Sequence, residues 1–278
     1  MGVIGGAKSL INGMYTTKSW SISHKADLQA IIASNTYGGP VRLEGNKDWS
    51  GTVEGWGHTP PILPGDIFSF TGSIDGSLGA TGSAICDSTT ITINVESGAV
   101  INYSSAFSAN GALTFGAAVV AADDTCPSAY SPIGAIISYD VLPDTAYATL
   151  PNVKMITINI TADNQFHIDS STAGETLRLA GNINCTVDID VNIEDTGLAS
   201  LPAVNSVCRL KITLASGDVY DIDFIRFASV SDITADRETA AIISAKLNGL
   251  FSGVEVAEGT ECEAGQITLP DRAYWPAP

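Results

Sequence analysis

The sequence predicts a mainly β protein: two tandem β-sandwich or half-barrel domains, residues 1–142 and 143–278, each with a short flanking helix. Three observations predict it. The chain repeats itself at an offset of 136 residues, close to half its length of 278. Apolar and polar residues alternate over short segments, the period of a half-buried strand. Those segments are separated by turn formers, with 27 Gly and 12 Pro in the chain.

The repeat is clearest between Ile22 and Asn46, where 12 of 25 positions are identical to those between Ile158 and Asn182 without a gap. Ala26-Asp27 falls on Ala162-Asp163, Gln29 on Gln165, and Arg42-Leu43 on Arg178-Leu179. Each copy opens with an alternating strand, Trp20-Ser21-Ile22-Ser23 and Ile156-Thr157-Ile158-Asn159. Each then crosses a loop with a glycine at the same place, Gly38 and Gly174. A Gly-Asn pair follows, Gly45-Asn46 and Gly181-Asn182, the pair best suited to a positive φ in a turn. Next, Ser50 to Val53 answers Thr186 to Ile189.

Later elements match loosely. Ile67 to Phe70 resembles Leu210 to Thr213, and Gly134 to Ile137 resembles Gly265 to Thr268. The spacing predicts a helix from about Asp236 to Asn248, stopped by Gly249, with Ala241, Ile242, Ala245 and Leu247 apolar. A shorter counterpart is expected near Ser104 to Asn110, ended by Gly111, and a linker over Pro143 to Pro151.

Hydrophobic residues make up 45% of the chain and charged ones 15%, a balance that supports a real core and opposes disorder. The net charge is −17, from 30 acidic and 13 basic residues. A protein that grips nucleic acid needs the opposite balance, because phosphates are neutralised by Lys and Arg. The five cysteines (Cys86, Cys126, Cys185, Cys208, Cys262) are scattered without a C-x-x-C, which reads as small buried hydrophobes in a reducing compartment. The opening Met1 to Gly6 lacks the charged and apolar regions of a signal peptide, and no apolar run is long enough to span a membrane. Synthesis in the cytoplasm and no membrane partner are therefore expected.

Catalytic chemistry is not expected. His24, His58 and His167 stand far apart without metal-ligand spacing, and no nucleophile elbow, phosphate loop or His-Glu-x-x-His occurs. No catalytic residue, metal ligand or cofactor is assigned. The acidic residues form patterns instead. From Val187 to Glu194 apolar and polar residues alternate strictly, which buries Val187, Ile189, Val191 and Ile193 and exposes Asp188, Asp190 and Glu194. Asp221 and Asp223 share a face of another strand, and Ile91 to Glu96 repeats the pattern less acidically. Aromatic and proline residues gather at Trp49, Trp56, Pro60, Pro61 and Pro64, and again at Tyr274-Trp275-Pro276. They cap a core or meet neighbouring subunits, where Trp and Tyr are favoured.

Taken together, the Trp20 to Ile22 strand, Asn35-Thr36-Tyr37-Gly38, Arg42 to Gly51, and the Pro64-Gly65-Asp66 turn before Ile67 to Phe70 resemble the opening of major tail (tail-tube) proteins of long-tailed phages. The resemblance covers about 50 residues. In the second copy Ile156 and Cys185 replace Trp20 and Trp49. The resemblance implies a β-sandwich with a flanking helix, and stacked rings of six domains whose inner strands form a barrel with an acidic lumen. Two domains per chain would then give trimeric rings of pseudo-sixfold symmetry in a virion tail. The partners would be the chain itself and other tail proteins, with DNA passing unbound. Asp188, Asp190, Glu194, Asp221 and Asp223 are the lumen candidates, and Trp49, Trp56, Tyr274 and Trp275 the subunit-contact candidates. The competing expectations are another virion component (capsid decoration, baseplate or tail terminator) and a carbohydrate-binding adhesin module.

Overall fold

The computed structural model describes residues 8–11, 17–32, 39–73, 79–116, 130–142, 146–168, 175–193, 201–235, 243–251, 254–255, 262–263, 267–270 and 272–274. These residues form strands and turns, with no helix among them. The first half contributes β1 (Lys8–Ile11), β2 (Thr17–Ile31), β3 (Val41–Trp56), β4 (Ile67–Ser73), β5 (Gly79–Asn94), β6 (Asn102–Gly116), β7 (Ile136–Val141) and β8 (Ala148–Thr149). The second contributes β9 (Val153–Ala162), β10 (Gln165–His167), β11 (Leu177–Leu179), β12 (Ile183–Ile193), β13 (Val207–Thr213), β14 (Val219–Ala235), β15 (Ile243–Phe251), β16 (Val254–Glu255), β17 (Cys262–Glu263), β18 (Ile267–Leu269) and β19 (Arg272–Tyr274).

One antiparallel sheet runs through both halves in the order β2-β3-β6-β5-β9-β12-β15-β14-β13-β7-β8. The halves meet where β5 pairs with β9, Ser88 opposite Thr161 through Asn94 opposite Met155. Farther along the same strand, β5 pairs with β4, and β4 with β1.

The strand register recurs from one half to the other. Trp20 faces Val53 and Gln29 faces Leu43; Ile156 faces Ile189 and Gln165 faces Leu179, each pair moved by 136. The long β2–β3 hairpin thus corresponds to β9–β12 extended by β10–β11. Ser73 facing Gly79 and Phe70 facing Gly82 recur as Thr213 facing Val219 and Leu210 facing Ile222, moved by 140. A register shift between Cys86 and Ser88 recurs between Phe227 and Ser229. The position of β1 beside β4 is taken in the second half by β7 beside β13. The looser sequence matches were therefore misaligned: Ile67 corresponds to Val207, not Leu210, and β7 and β18 occupy different places in the sheet.

The sheet folds back on itself to enclose its apolar faces. β4 is not paired with β2, β3 or β6, yet Phe70 lies against Trp20 and Trp49 (ring centroids 5.7 and 6.3 Å), and Phe68 meets Phe107 edge-on at 5.5 Å. A larger cluster joins Leu210, Ile212, Tyr220 and Ile222 to Val187, Ile189, Ile156 and Ile158, and takes in Ile91 and Ile93 from the first half.

Where they are described, the two expected helices are strands. Residues 243–248 belong to β15, and residues 236–242 lie outside the described ones. Ala245, Leu247 and Gly249 are buried while Lys246 and Leu250 are exposed, a period of two that the apolar count alone read as helical. Ser104 to Asn110 lies in β6, with Ser105, Phe107 and Ala109 buried. The expected linker is tied to the sheet where it is described: residues 146–149 are exposed, but Ala148 and Thr149 pair with β7, and Leu150 is buried with its N–H donating to the Ile137 carbonyl at 2.8 Å. Residues 143–145 lie outside the described ones. Gly45 and Gly181 do not carry the positive φ expected of them. They are needed for close approach: a Cβ on Gly45 would sit 3.0 Å from the Asp27 carbonyl oxygen, and one on Gly181 would collide with the corresponding oxygen of Asp163.

Alanine at Gly181 must displace backbone, whereas at Gly45 a shift of a few tenths of an ångström suffices. Urea unfolding is expected to show Gly181→Ala costing about 1–3 kcal/mol and Gly45→Ala clearly less; equal costs would contradict the close-approach assignment.

Candidate functional site

Eight strands, β2-β3-β6-β5-β9-β12-β15-β14, form a broad wall with two unlike faces. Alternation puts Val53, Phe107, Ile91, Ile158, Val187, Ile189 and Leu247 in the core. The opposite face carries Ser21, Ser50, Thr52, Ser104, Thr90, Thr92, Thr157, Asn159, Thr186 and Asn248. It is rich in hydroxyls and amides and sparing of charge. Thr90 Oγ1 donates to Asn159 Oδ1 at 3.1 Å across the joint between the halves, and Ser21 and Thr52 hydroxyls meet at 2.7 Å.

Asp188 and Asp190 stand on this polar face of β12, half-buried. Asn248 Nδ2 donates to Asp188 at 2.6 Å, and Asp190 is opposite Lys246 in the β12–β15 register. Glu54 adds an acid on β3, taking a hydrogen bond from Ser19 at 3.2 Å and an ion pair from Lys18 at 3.7 Å. Glu194 lies outside the described residues.

Asp221 and Asp223 belong elsewhere. They face β13 on the layer that packs across the core from β12, so the two acidic pairs do not share a surface. Arg209 Nε lies 3.5 Å from Asp223, Lys211 is opposite Asp221, and Lys211 Nζ sits over the Tyr147 ring at 5.8 Å. Asp140, on the neighbouring β7 opposite Arg209, is buried. Burial pushes the Asp221 carboxyl above the ordinary carboxylate range, against the opposing pull of Lys211 and Arg209.

The aromatic candidates divide. Trp49 is a core residue: it is 1% exposed, packs on Phe70 and Phe107, and donates its indole N–H to the Gly111 carbonyl at 2.9 Å. Its strand position, between half-buried Asp48 and exposed Ser50 on the other face, turns the ring inward. Trp56, 40% exposed at the end of β3, remains available to a neighbour. Tyr274 closes β19 opposite Ile267, and Trp275 lies outside the described residues. Of the histidines, His24 is exposed and His58 is buried against Tyr130 at 3.6 Å. Cys86, Cys185 and Cys208 are buried free thiols; burial pushes the first two up to about 12.

The sequence reading missed the arm that secures the joint. Beyond β9 and β12, the β10–β11 arm lies against the first half. Arg178 makes a two-pronged pair with Asp48, 3.1 Å on each side, and donates to the Ala109 carbonyl at 2.8 Å. Asn164 Nδ2 donates to the Cys86 carbonyl and to Asp87, both at 2.8 Å. Thr176 donates to the Lys47 carbonyl at 2.9 Å. A cleft of about 290 Å³ lined by Lys25, Asp48, Phe166 and Arg178 separates this arm from the β2–β3 arm. The signal for Arg178 was present in the Arg42-Leu43 and Arg178-Leu179 identity, but its partner was not, because Asp48 answers to Asn184. A second cavity, about 410 Å³ and mostly apolar, is lined by Trp20, Ile22, His24, Ala80 and Phe115. It opens beside Ala80, whose counterpart Tyr220 is a large buried side chain in the second half.

Two outcomes follow. Trp49→Ala is expected to cost about 3–5 kcal/mol in chemical denaturation, the range for deleting a buried aromatic ring; a cost within the noise would restore Trp49 to the surface. For Asp221, the folded pKa is the higher one, so its ionisation erodes stability as pH rises from about 4 through the folded value. Asp221→Asn should therefore be the more stable protein at pH 7, by ~1 kcal/mol or less because the site is half-exposed. The difference should vanish at acid pH. A variant less stable at pH 7 would mean that Lys211 and Arg209 outweigh desolvation.

No protein-family model matches the chain, and no curated protein matches it.

Proposed function

We propose that this chain is a tail-tube subunit of a long-tailed phage, built from two copies of one β unit and assembling into trimeric, stacked rings of pseudo-sixfold symmetry. The observation that carries the reading is the β5–β9 joint. It couples two halves of the same strand order, β2-β3-β6-β5 and β9-β12-β15-β14, edge to edge in one sheet. At the ends of this wall stand β2, which pairs only with β3, and the 229–235 stretch of β14, which pairs only with β15 among the described residues. These correspond to the two strands of the joint: β2 to β9, and β14 to β5.

An exposed strand edge holds unmet backbone donors and acceptors and invites another strand. The same joint made between chains puts Ser229 opposite Lys25, Val230 opposite His24 and Ser231 opposite Ser23. Such a heterologous contact closes into a ring when its rotation divides the circle. Closure with three chains fits two β units per chain, with β7 and β8, though introduced with the first half, counted in the second unit because β7 pairs with β13.

The polar face suits a channel lining. Hydroxyls and amides dominate it, its cations Lys246 and Lys25 stand opposite Asp190 and Asp48, and a net charge of −17 repels DNA over longer range. DNA would pass without specific binding. In this reading the chain resides in the virion tail after assembly in the host cytoplasm, with other tail proteins as partners, and it runs no reaction.

Negative-stain electron microscopy of the purified chain, alone and with a preformed tail tip, is the test. Hollow tubes or stacked rings whose class averages have threefold symmetry are expected. A monomer under both conditions would overturn the proposal.

A further inference from the structure

The wall joint has a second component, the β10–β11 arm. Within the chain, the β10–β11 arm crosses to the first half and is held by Arg178 on Asp48 and by Asn164 on Asp87. The corresponding arm of the first half, the outer part of the β2–β3 hairpin, has no such seat among the described residues. Leu28 is 58% exposed and Ile32 69%, whereas their counterparts on the seated arm, Asn164 and Ile168, are half-buried. Val41 and Leu43 lie on the other face of the hairpin and are exposed, as their counterparts Leu177 and Leu179 are on the seated arm, so Leu28 and Ile32 are the side chains that a seat of the same kind would cover.

We infer that this arm docks on the second half of the next copy of the chain, in the place that β10–β11 occupies on the first half. This rests on the ring reading above. The strand register maps the contact residue by residue. Arg42 stands for Arg178 and Leu28 for Asn164. On the receiving side Asn184 stands for Asp48, the Phe251 carbonyl for that of Ala109, and Ala228 for Asp87. Asn184, Ala228, Arg42 and Leu28 are all exposed.

The differences between the two seats are matched on both sides. Where polar Asn164 meets the Asp87 carboxyl group within the chain, apolar Leu28 meets the methyl of Ala228 between chains. Where Arg178 meets a carboxylate, Arg42 meets the amide of Asn184, with the carbonyl of Phe251 as a further acceptor. Crossing the arms is unfavourable: Leu28 would desolvate Asp87, and Asn164 would lose its carboxylate on Ala228. The seats therefore distinguish the arm of the same chain from the arm of a neighbour, as specificity built on mismatch requires. The partner of the exposed arm is a second copy of this chain, engaged on its β12–β14 side.

The test uses the full chain carrying Leu28→Cys and Ala228→Cys together, both at exposed positions that leave the core intact. After assembly and mild oxidation, non-reducing gels should show covalent dimers and trimers, absent from either single variant. A Leu28→Cys with Asp87→Cys pair should not cross-link. Leu28→Asp should lower the assembled fraction roughly tenfold, since a charge against an apolar seat costs on the order of 1.4 kcal/mol or more; Leu28→Asn with Ala228→Asp, which copies the intrachain seat, should restore it. Threefold rings by electron microscopy without the Leu28–Ala228 cross-link would overturn the arm assignment and leave the ring reading standing. Absence of rings in the unmodified chain would overturn both.

Discussion

The backbone ladder between β5 and β9 is the contact on which the other features depend. It runs from Ser88–Thr161 to Asn94–Met155, and its buried cross-strand pairs, Ile91 with Ile158 and Ile93 with Ile156, draw both halves into one hydrophobic cluster. Backbone N–H and C=O groups at a sheet edge must find partners or water. Here the edge of the first β unit finds the edge of the second, which removes two exposed edges and leaves two others of the same kind at the ends of the wall. A chain built this way carries within itself a template of the contact proposed between chains.

A second constraint is the period of two along every strand of the wall. It sends Ile, Val, Leu and Phe to the interior and Ser, Thr and Asn to the far face. Hydroxyl and amide side chains form cross-strand hydrogen bonds, as between Thr90 and Asn159, without creating cation sites. Charge is kept apart from that face in part. Asp221 and Asp223, with Arg209 and Lys211, lie on the other layer, where the opposing charges offset much of the acid. The polar face carries the acids Asp188, Asp190, Glu54 and Asp48, with Lys246 opposite Asp190 and Lys25 opposite Asp48, so its own charge is partly offset.

The internal repeat was legible in the sequence because identity survived where geometry is tightest. Gly45 and Gly181 are kept by the close approach of the Asp27 and Asp163 carbonyls, and the Arg-Leu pairs by their place in the arm. The β character and the strands at Trp20–Ser23, Ile156–Asn159 and Val187–Ile193 followed from alternation. The helices were misread because small residues such as Ala245 and Ala109 satisfy a helical and a strand pattern equally over short stretches. Trp49 was misplaced because a tryptophan beside Asp and Ser looks like a surface anchor until the alternation of β3 is fixed. Long-range pairings such as Arg178 with Asp48, 130 residues apart, leave no local trace at all. The acids of β12 and β14 looked alike in sequence for the same reason: which layer a strand joins is decided by its distant partners.

The central claim is that the contact between chains repeats the contact within one. A cryo-electron microscopy reconstruction of the assembled protein, at a resolution that traces strands, tests it directly. The account predicts β2 of one chain hydrogen-bonded antiparallel to β14 of the next, with Val230 opposite His24 as Thr89 is opposite Ile160. An assembly in which β2 and β14 face solvent, or in which chains meet through the β13–β7 layer instead, would contradict it.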